Sequence, residues 1–161
     1  MASNLTYGEL SIKGCLKLID EIRPLIKKNS TFIDVGSGYG KLVRMVAEIL
    51  EIKSIGIEID KEKHNIALKT NWTNQKKLIE FYNKDFRLIQ EKLQNADIIF
   101  ANNVTWGTDL NDTLLNNSFC NLFTLKKPKN STVIDKIEIG VTWKPNDSFS
   151  WLYKINTNTK R

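Results

Sequence analysis

Four groups of residues in this chain have types and spacings suited to holding a small molecule and acting on it. The first is Asp34-Val35-Gly36-Ser37-Gly38-Tyr39-Gly40, three glycines at alternate positions with an acid two residues ahead of them. Glycines there let the backbone turn sharply and let a ligand approach bare peptide groups. A dinucleotide turn would need its third glycine at position 41, which is Lys41. An acid beside such a loop suits a cationic ligand. The second is Glu58, which ends the apolar run Ser54-Ile55-Gly56-Ile57 and can accept both hydroxyls of a ribose. The third is Asp85-Phe86, a carboxylate to receive an adenine amino group beside a ring to stack on the purine. The fourth is Asn102-Asn103, where an amide oxygen can accept hydrogen bonds from a nucleophilic amine and hold it in line for group transfer.

These groups need a scaffold that brings them to one place, and the alternation of elements supplies it. Ile12, Leu16, Ile19, Ile22 and Ile26 recur at three- or four-residue steps and predict a helix from Leu10 to about Lys28, kinked or divided at Pro24. A strand over Thr31–Val35, a helix carrying Leu42, Val43, Val46, Ile49 and Leu50, and a strand over Ser54–Ile59 follow. Beyond them the pattern predicts a charged helix over Lys61–Lys77, a strand over Ile79–Asn83, a short helix near Arg87–Leu93 and a strand over Asp97–Ala101. Leu110, Leu114, Leu115, Phe119 and Leu122 predict one more helix, Thr132–Ile137 a strand, and Gly140–Trp143 with Phe149–Ile155 a closing hairpin. Strands alternating with helices require a mostly parallel sheet covered on both faces, with ligands bound beyond the carboxyl ends of the strands. All four groups follow predicted strands.

The acid and the G-x-G-x-G spacing together resemble the S-adenosylmethionine-dependent methyltransferases of Rossmann-like fold, an α/β architecture with a mostly parallel seven-stranded sheet. Four motifs narrow the resemblance: Tyr7-Gly8-Glu9, Asp34 to Gly40, Asp85-Phe86, and Phe100-Ala101-Asn102-Asn103-Val104-Thr105-Trp106-Gly107. Together they resemble the disruptor-of-telomeric-silencing family, the non-SET histone H3 lysine methyltransferases that act on the nucleosome core, from about Tyr7 to Ile155. The resemblance implies that Tyr7 and Glu9 close over the methionine end of S-adenosyl-L-methionine. It implies that Asp34, Gly36 and Gly38 hold its amino acid, with Lys41 where the family has glutamine. Glu58 would hold the ribose, and Asp85 and Phe86 the adenine. Asn102 would stand between the sulfonium methyl and the incoming lysine, whose channel would be walled by Val104, Trp106, Trp143 and Trp151. The chain departs from the family at Leu10, a threonine there, and at Trp151, a tyrosine there. It also has a much shorter segment between Ile134 and Trp143.

With 161 residues, 41% hydrophobic and 26% charged, the chain is expected to form one domain over residues 1–161. Residues 1–30 would form the closing loop and helix, and 156–161 a flexible tail. No apolar run is long enough to span a bilayer, and the polar start lacks a signal-peptide shape, so neither a membrane nor a secretory location is expected. Cys15 and Cys120 with a single His64 give no metal site. The net charge of +6 fits an anionic partner, with non-specific DNA contact through basic residues such as Lys126-Lys127-Pro128-Lys129. Bias toward Asn, Lys and Ile fits an AT-rich genome such as that of a large DNA virus or a protist. The expected protein is therefore a monomeric, chromatin-associated enzyme of the nucleus or a viral factory, whose substrate is histone H3 or the nucleosome. Three alternatives stand beside it: a broad-specificity lysine methyltransferase of other DNA-packaging proteins, a nucleic-acid amino-group methyltransferase, and a nucleosome-binding module without catalysis.

Overall fold

The computed structural model describes residues 8–70, 74–142 and 149–157. Seven strands form one sheet in the order β3-β2-β1-β4-β5-β7-β6, where β1 is Thr31–Val35, β2 Lys53–Ile57, β3 Ile79–Tyr82, β4 Ile98–Ala101, β5 Asn121–Thr124, β6 Val133–Gly140 and β7 Phe149–Ile155. The first five are parallel, and β7 enters antiparallel between β5 and β6. The chain moves outward from β1 to β2 and β3, then returns to the other side of β1 at β4. A crevice opens where that reversal separates the loops after β1 and β4, and these are the loops that carry Gly36 and Asn102.

Alternation along the central strands divides the core between the two faces of the sheet. Phe32, Ile98, Phe100 and Phe123 point to one face, where they meet α1 (Ile12–Ile22) and α2 (Lys41–Leu50). Ile33, Val35, Ile99 and Leu122 point to the other, packed with Leu93 of α4 (Gln90–Gln94) and Leu114 of α5 (Thr108–Asn117). The remaining helix, α3 (Lys61–Lys69), is capped by Asp60, whose side chain accepts from the Lys63 amide.

Several boundaries differ from those the sequence predicts. Helix α1 stops at Ile22, and Pro24 is the middle residue of a single 3-10 turn over Arg23–Leu25. Its buried face is Gly14, Cys15, Leu18, Ile19 and Ile22, while Ile12 and Leu16 face outward, so the helix is rotated from the predicted stripe. That rotation follows from Gly14: a Cβ there would collide with the carbonyl oxygen of Gly140, and only glycine lets α1 lie this close to β6. The predicted fifth helix ends at Asn117, and Leu122 belongs to β5. Apolar residues continue across Ser118 at helical spacing, so periodicity does not separate the helix from a four-residue strand buried on both faces. The strand predicted over Thr132–Ile137 runs on to Gly140 as β6 and pairs with β7 itself, while Val141 beyond it makes an isolated bridge to Leu10 and Trp143 lies outside the described residues. The predicted tail is pinned at its start, since the Asn156 amide donates to the Thr132 carbonyl and the Thr157 hydroxyl to the Cys120 carbonyl.

Candidate active site

Two clefts open at the carboxyl edge of the sheet on either side of Gly36. The first, about 340 Å³, is lined by Gly8, Glu9, Cys15, Asp34, Ser37, Lys41 and Asn102 among others. The second, about 470 Å³, is lined by Glu58, Ile59, Asp85, Phe86, Trp106 and Leu110 among others. The glycine loop between them runs through three left-handed residues, Gly36, Gly38 and Gly40, with φ of 82°, 57° and 86°. A Cβ built on Gly36 would meet open space, so what demands glycine there is the backbone angle together with the exposed peptide surface.

Hydrogen bonds fix that loop against the next strand. The amides of Gly36 and Ser37 both donate to the carbonyl of Ile57, at 2.8 and 3.1 Å. Glu58, one residue beyond β2, reaches back so that its Oε1 accepts from the Gly38 amide at 2.7 Å, while its Oε2 accepts from the Asp60 amide at 2.9 Å. Its carboxylate thus clamps two loops together and still lines the second cleft, with lone pairs remaining on each oxygen.

The first cleft holds an electrostatic anomaly. Asp34 is only 4% exposed, and its Oδ1 is buried with no hydrogen-bond partner, as is the Ser37 hydroxyl. Burial, reinforced by the negative charges of Glu58 and Glu9, raises the Asp34 carboxyl well above the usual carboxylate range. An unpaired carboxyl at the floor of a cleft fits a ligand that brings its own positive charge and donors. Cys15 lies beside it as a thiol that burial pushes up to about 12, so it supplies neither a base nor a nucleophile near neutral pH.

The segment before α1 forms the rim of this cleft. Asn102 Nδ2 donates to the Gly8 carbonyl at 2.7 Å, and Glu9 pairs with Lys41 at 3.0 Å. The same segment is fastened to the end of β6: the Glu9 amide donates to the Thr142 hydroxyl, the Thr142 amide to the Glu9 carbonyl, and the Ser11 amide to the Gly140 carbonyl. Gly8, Glu9, Asp34, Lys41 and Asn102 therefore share one cleft although they come from four separate stretches of chain.

In the second cleft, Phe86 and Trp106 stack with centroids 5.1 Å apart and an interplanar angle of 17°. Trp106 thus stands with the residues anticipated for the adenine and away from the first cleft. Asp85 caps the 3-10 turn Phe86–Leu88 through the Arg87 amide and receives the Arg87 guanidinium on both oxygens. That side-chain pairing holds the Asp85 carboxyl below its usual range, so it stays an acceptor. Trp151 lines neither cleft. It sits on β7 opposite Glu138, with the Lys136 ammonium 4.5 Å above its ring. Tyr7 and Trp143 lie outside the described residues. Sequence reasoning missed Ser37 and Cys15 as cleft residues. Ser37 is signalled by its place between two loop glycines, whereas nothing in the sequence marks Cys15.

The residues present fit an adenosyl amino acid. The orphaned carboxyl of Asp34 and the hydroxyl of Ser37 await a polar cation in one cleft, and an aromatic floor with a strand-end carboxylate waits in the other. No helix among the described residues is long and apolar enough to cross a membrane.

Comparisons with known proteins agree with this architecture. Among solved structures, an RNA methyltransferase from Salinibacter ruber in complex with S-adenosyl-L-homocysteine superimposes with a TM-score of 0.65 at 16% identity, covering 94% of this chain and 95% of that one. TrmK of M. capricolum, in complex with the same cofactor product, gives 0.57 at 18% identity over 88% and 68%. These likenesses establish a class I methyltransferase fold. In sequence, the H3 lysine-79 specific histone-lysine N-methyltransferase of Gibberella zeae is 27% identical over 141 residues, 77% of this chain and 28% of that protein. The protein of the same description from Caenorhabditis elegans is 38% identical over 63 residues, 38% of this chain and 6% of that protein. The chain thus spans less than a third of the length of these curated relatives. The family described as histone methylation protein DOT1 matches residues 1–134, and the chain belongs to that family.

Proposed function

We propose that the protein is an S-adenosylmethionine-dependent lysine N-methyltransferase whose substrate is histone H3 in the nucleosome core, in a chromatin setting. The observation that carries this reading is the convergence of Asn102 and the unpaired Asp34 carboxyl on one cleft under the Glu9 rim, in a chain of the DOT1 family. S-adenosylmethionine, when bound, supplies an electrophilic methyl on a sulfonium. Asp34 would take its ammonium end and Glu58 its ribose, with Phe86 and Trp106 against the purine. Lys41 would face its carboxylate.

The lysine amine must arrive neutral. Deprotonating a side chain of ordinary pKa near 10.4 at pH about 7.4 costs about 4 kcal/mol, and a desolvated approach beside a fixed cation lowers that cost by disfavouring the ammonium. Of the groups lining the first cleft, the Cys15 thiol is pushed up to about 12, Glu9 is paired with Lys41, and Asp34 would be committed to the cofactor's ammonium, so none of them is left to act as a dedicated base. The proton therefore leaves to water before the amine is seated. Asn102 then accepts from the neutral amine and aligns its lone pair, and positioning supplies the remaining rate enhancement. Lys126, Lys127 and Lys129 are exposed on the loop after β5, at the same edge of the sheet, where an anionic surface around the target lysine would meet them.

Labelled S-adenosylmethionine offered with nucleosomes, free core histones and RNA in parallel tests the proposal. Label on histone H3 within nucleosomes is the expected result. Label spread over many lysines of free histones would replace it with a broad-specificity protein methyltransferase. Label on RNA alone would overturn it.

A further inference from the structure

Asn103 carries more hydrogen bonds than any role in the clefts explains. Its side chain is completely buried, and all its polar atoms are engaged. Nδ2 donates to the Lys126 carbonyl at 2.8 Å and to Asn111 Oδ1 at 2.9 Å, and Oδ1 accepts from the Lys126 amide at 2.9 Å. Both backbone groups of Lys126 are thus tied to one side chain, in the manner of a strand pairing with a single amide. Asn111 continues the chain of bonds by donating to the Gly107 carbonyl at 3.0 Å, and the Trp106 amide donates to the Asn103 carbonyl at 3.1 Å. One residue beyond Asn102, a single amide therefore connects three things. They are the peptide that orients Asn102, the turn that presents Trp106, and the exposed lysine loop after β5.

We infer that Asn103 is a positioning residue that couples the lysine loop to Asn102, so that the surface meeting the substrate and the group aligning the amine keep one fixed relation. No other side chain among the described residues hydrogen-bonds the Lys126 backbone at both its amide and its carbonyl. The loop has its own internal closure, with the Ser131 hydroxyl and amide both donating to the Pro128 carbonyl and Asn130 in the left-handed region. A loop closed in this way and hung from Asn103 moves as a unit. The role is one of alignment, since Asn103 itself is sealed from solvent and lines neither cleft. Its kinetic consequence rests on the methyl-transfer reading, whereas its structural consequence does not.

Two variants separate alignment from folding. Asn103→Asp keeps the shape and the acceptor for the Lys126 amide but replaces the donor to both the Lys126 carbonyl and Asn111 Oδ1. Asn103→Leu removes all three bonds. Amide hydrogen exchange on the full chain is expected to quicken together in residues 102–107 and 125–130 in both variants, with the central strands unchanged. Turnover on the methylated substrate should fall about 100-fold in Asn103→Leu, the size expected of a misplacement of about 1 Å. It should fall in Asn103→Asp as well, while affinity for S-adenosylhomocysteine by calorimetry stays within about threefold in both. Exchange that quickens in only one of the two segments, or turnover that tracks global melting with no separate drop, overturns the inference. A wild-type protein inactive on every amine offered would sink the proposed function, and the exchange result would still decide the role of Asn103.

Discussion

The two clefts flanking Gly36 are built by opposite means. In the first, an acid is buried without a partner and the rim is made of charged or amide side chains held by a segment from far away in the chain. In the second, each carboxylate is already satisfied, Glu58 by two amides and Asp85 by Arg87, and the walls are aromatic. The first cleft is poised to recognise charge, because an unmet buried carboxyl gains most from a ligand that meets it. The second recognises shape, because a stacked pair and a fixed acceptor select a flat ring with a donor on its edge. A ligand carrying a cation at one end and a purine at the other would span both.

The sharpest way to break this contrast lies at Asn102. If the first cleft is where chemistry occurs, Asn102→Ala should lower turnover by at least about 100-fold while leaving affinity for S-adenosylhomocysteine nearly unchanged by calorimetry. An active variant would move the chemistry elsewhere. Asp34→Asn comes next. Losing a charge-assisted contact of about 2 kcal/mol should weaken S-adenosylhomocysteine on the order of 30-fold.

The pH dependence of Asp34 has a definite sign. The empty folded protein keeps its proton to higher pH than the unfolded chain does, so stability falls as pH rises from the ordinary carboxylate range through the raised value. A cationic ligand needs the carboxylate, so binding expels that proton. Affinity should therefore tighten with rising pH until Asp34 ionises in the empty protein. Asp34→Asn should flatten both trends, and unchanged slopes would acquit Asp34.

In the second cleft the effects should be smaller and neutral to pH. Trp106→Ala should weaken S-adenosylhomocysteine about tenfold through lost stacking, and equal affinity would remove Trp106 from the purine wall. The Glu9–Lys41 pair should matter least to the fold. Both side chains are partly exposed, so Lys41→Gln should change unfolding free energy by under about 1 kcal/mol in denaturant titration.

The second cleft was the more legible of the two in the sequence. Glu58, Asp85 and Phe86 all follow strands that periodicity marks clearly, and the parallel topology then brings them together. The first cleft depends on contacts that spacing does not encode. Glu9 is held by Thr142, and Asn102 by Gly8. Trp106 sits in a motif that reads as one unit, yet the turn closed by Asn103 and Asn111 swings it toward Phe86. The strand β5 was hidden for a different reason: a fully buried four-residue strand has no alternation to reveal it. Cys15 reached the cleft only because Gly14 rotates α1.

The bonds between Glu9 and Thr142 join two segments that leave the ribosome at widely separated times. By the time residue 126 has left the ribosome, the glycine loop, Glu58, the aromatic pair and the Asn103 network have all emerged. The rim of the first cleft already has Asn102 and Lys41 to hold it, but its bonds to Gly140 and Thr142 wait for the end of β6, and the neighbour of β6 in the sheet among the described residues, β7, comes later still. A nascent chain can therefore present the aromatic wall of the second cleft well before the rim of the first is fully bonded.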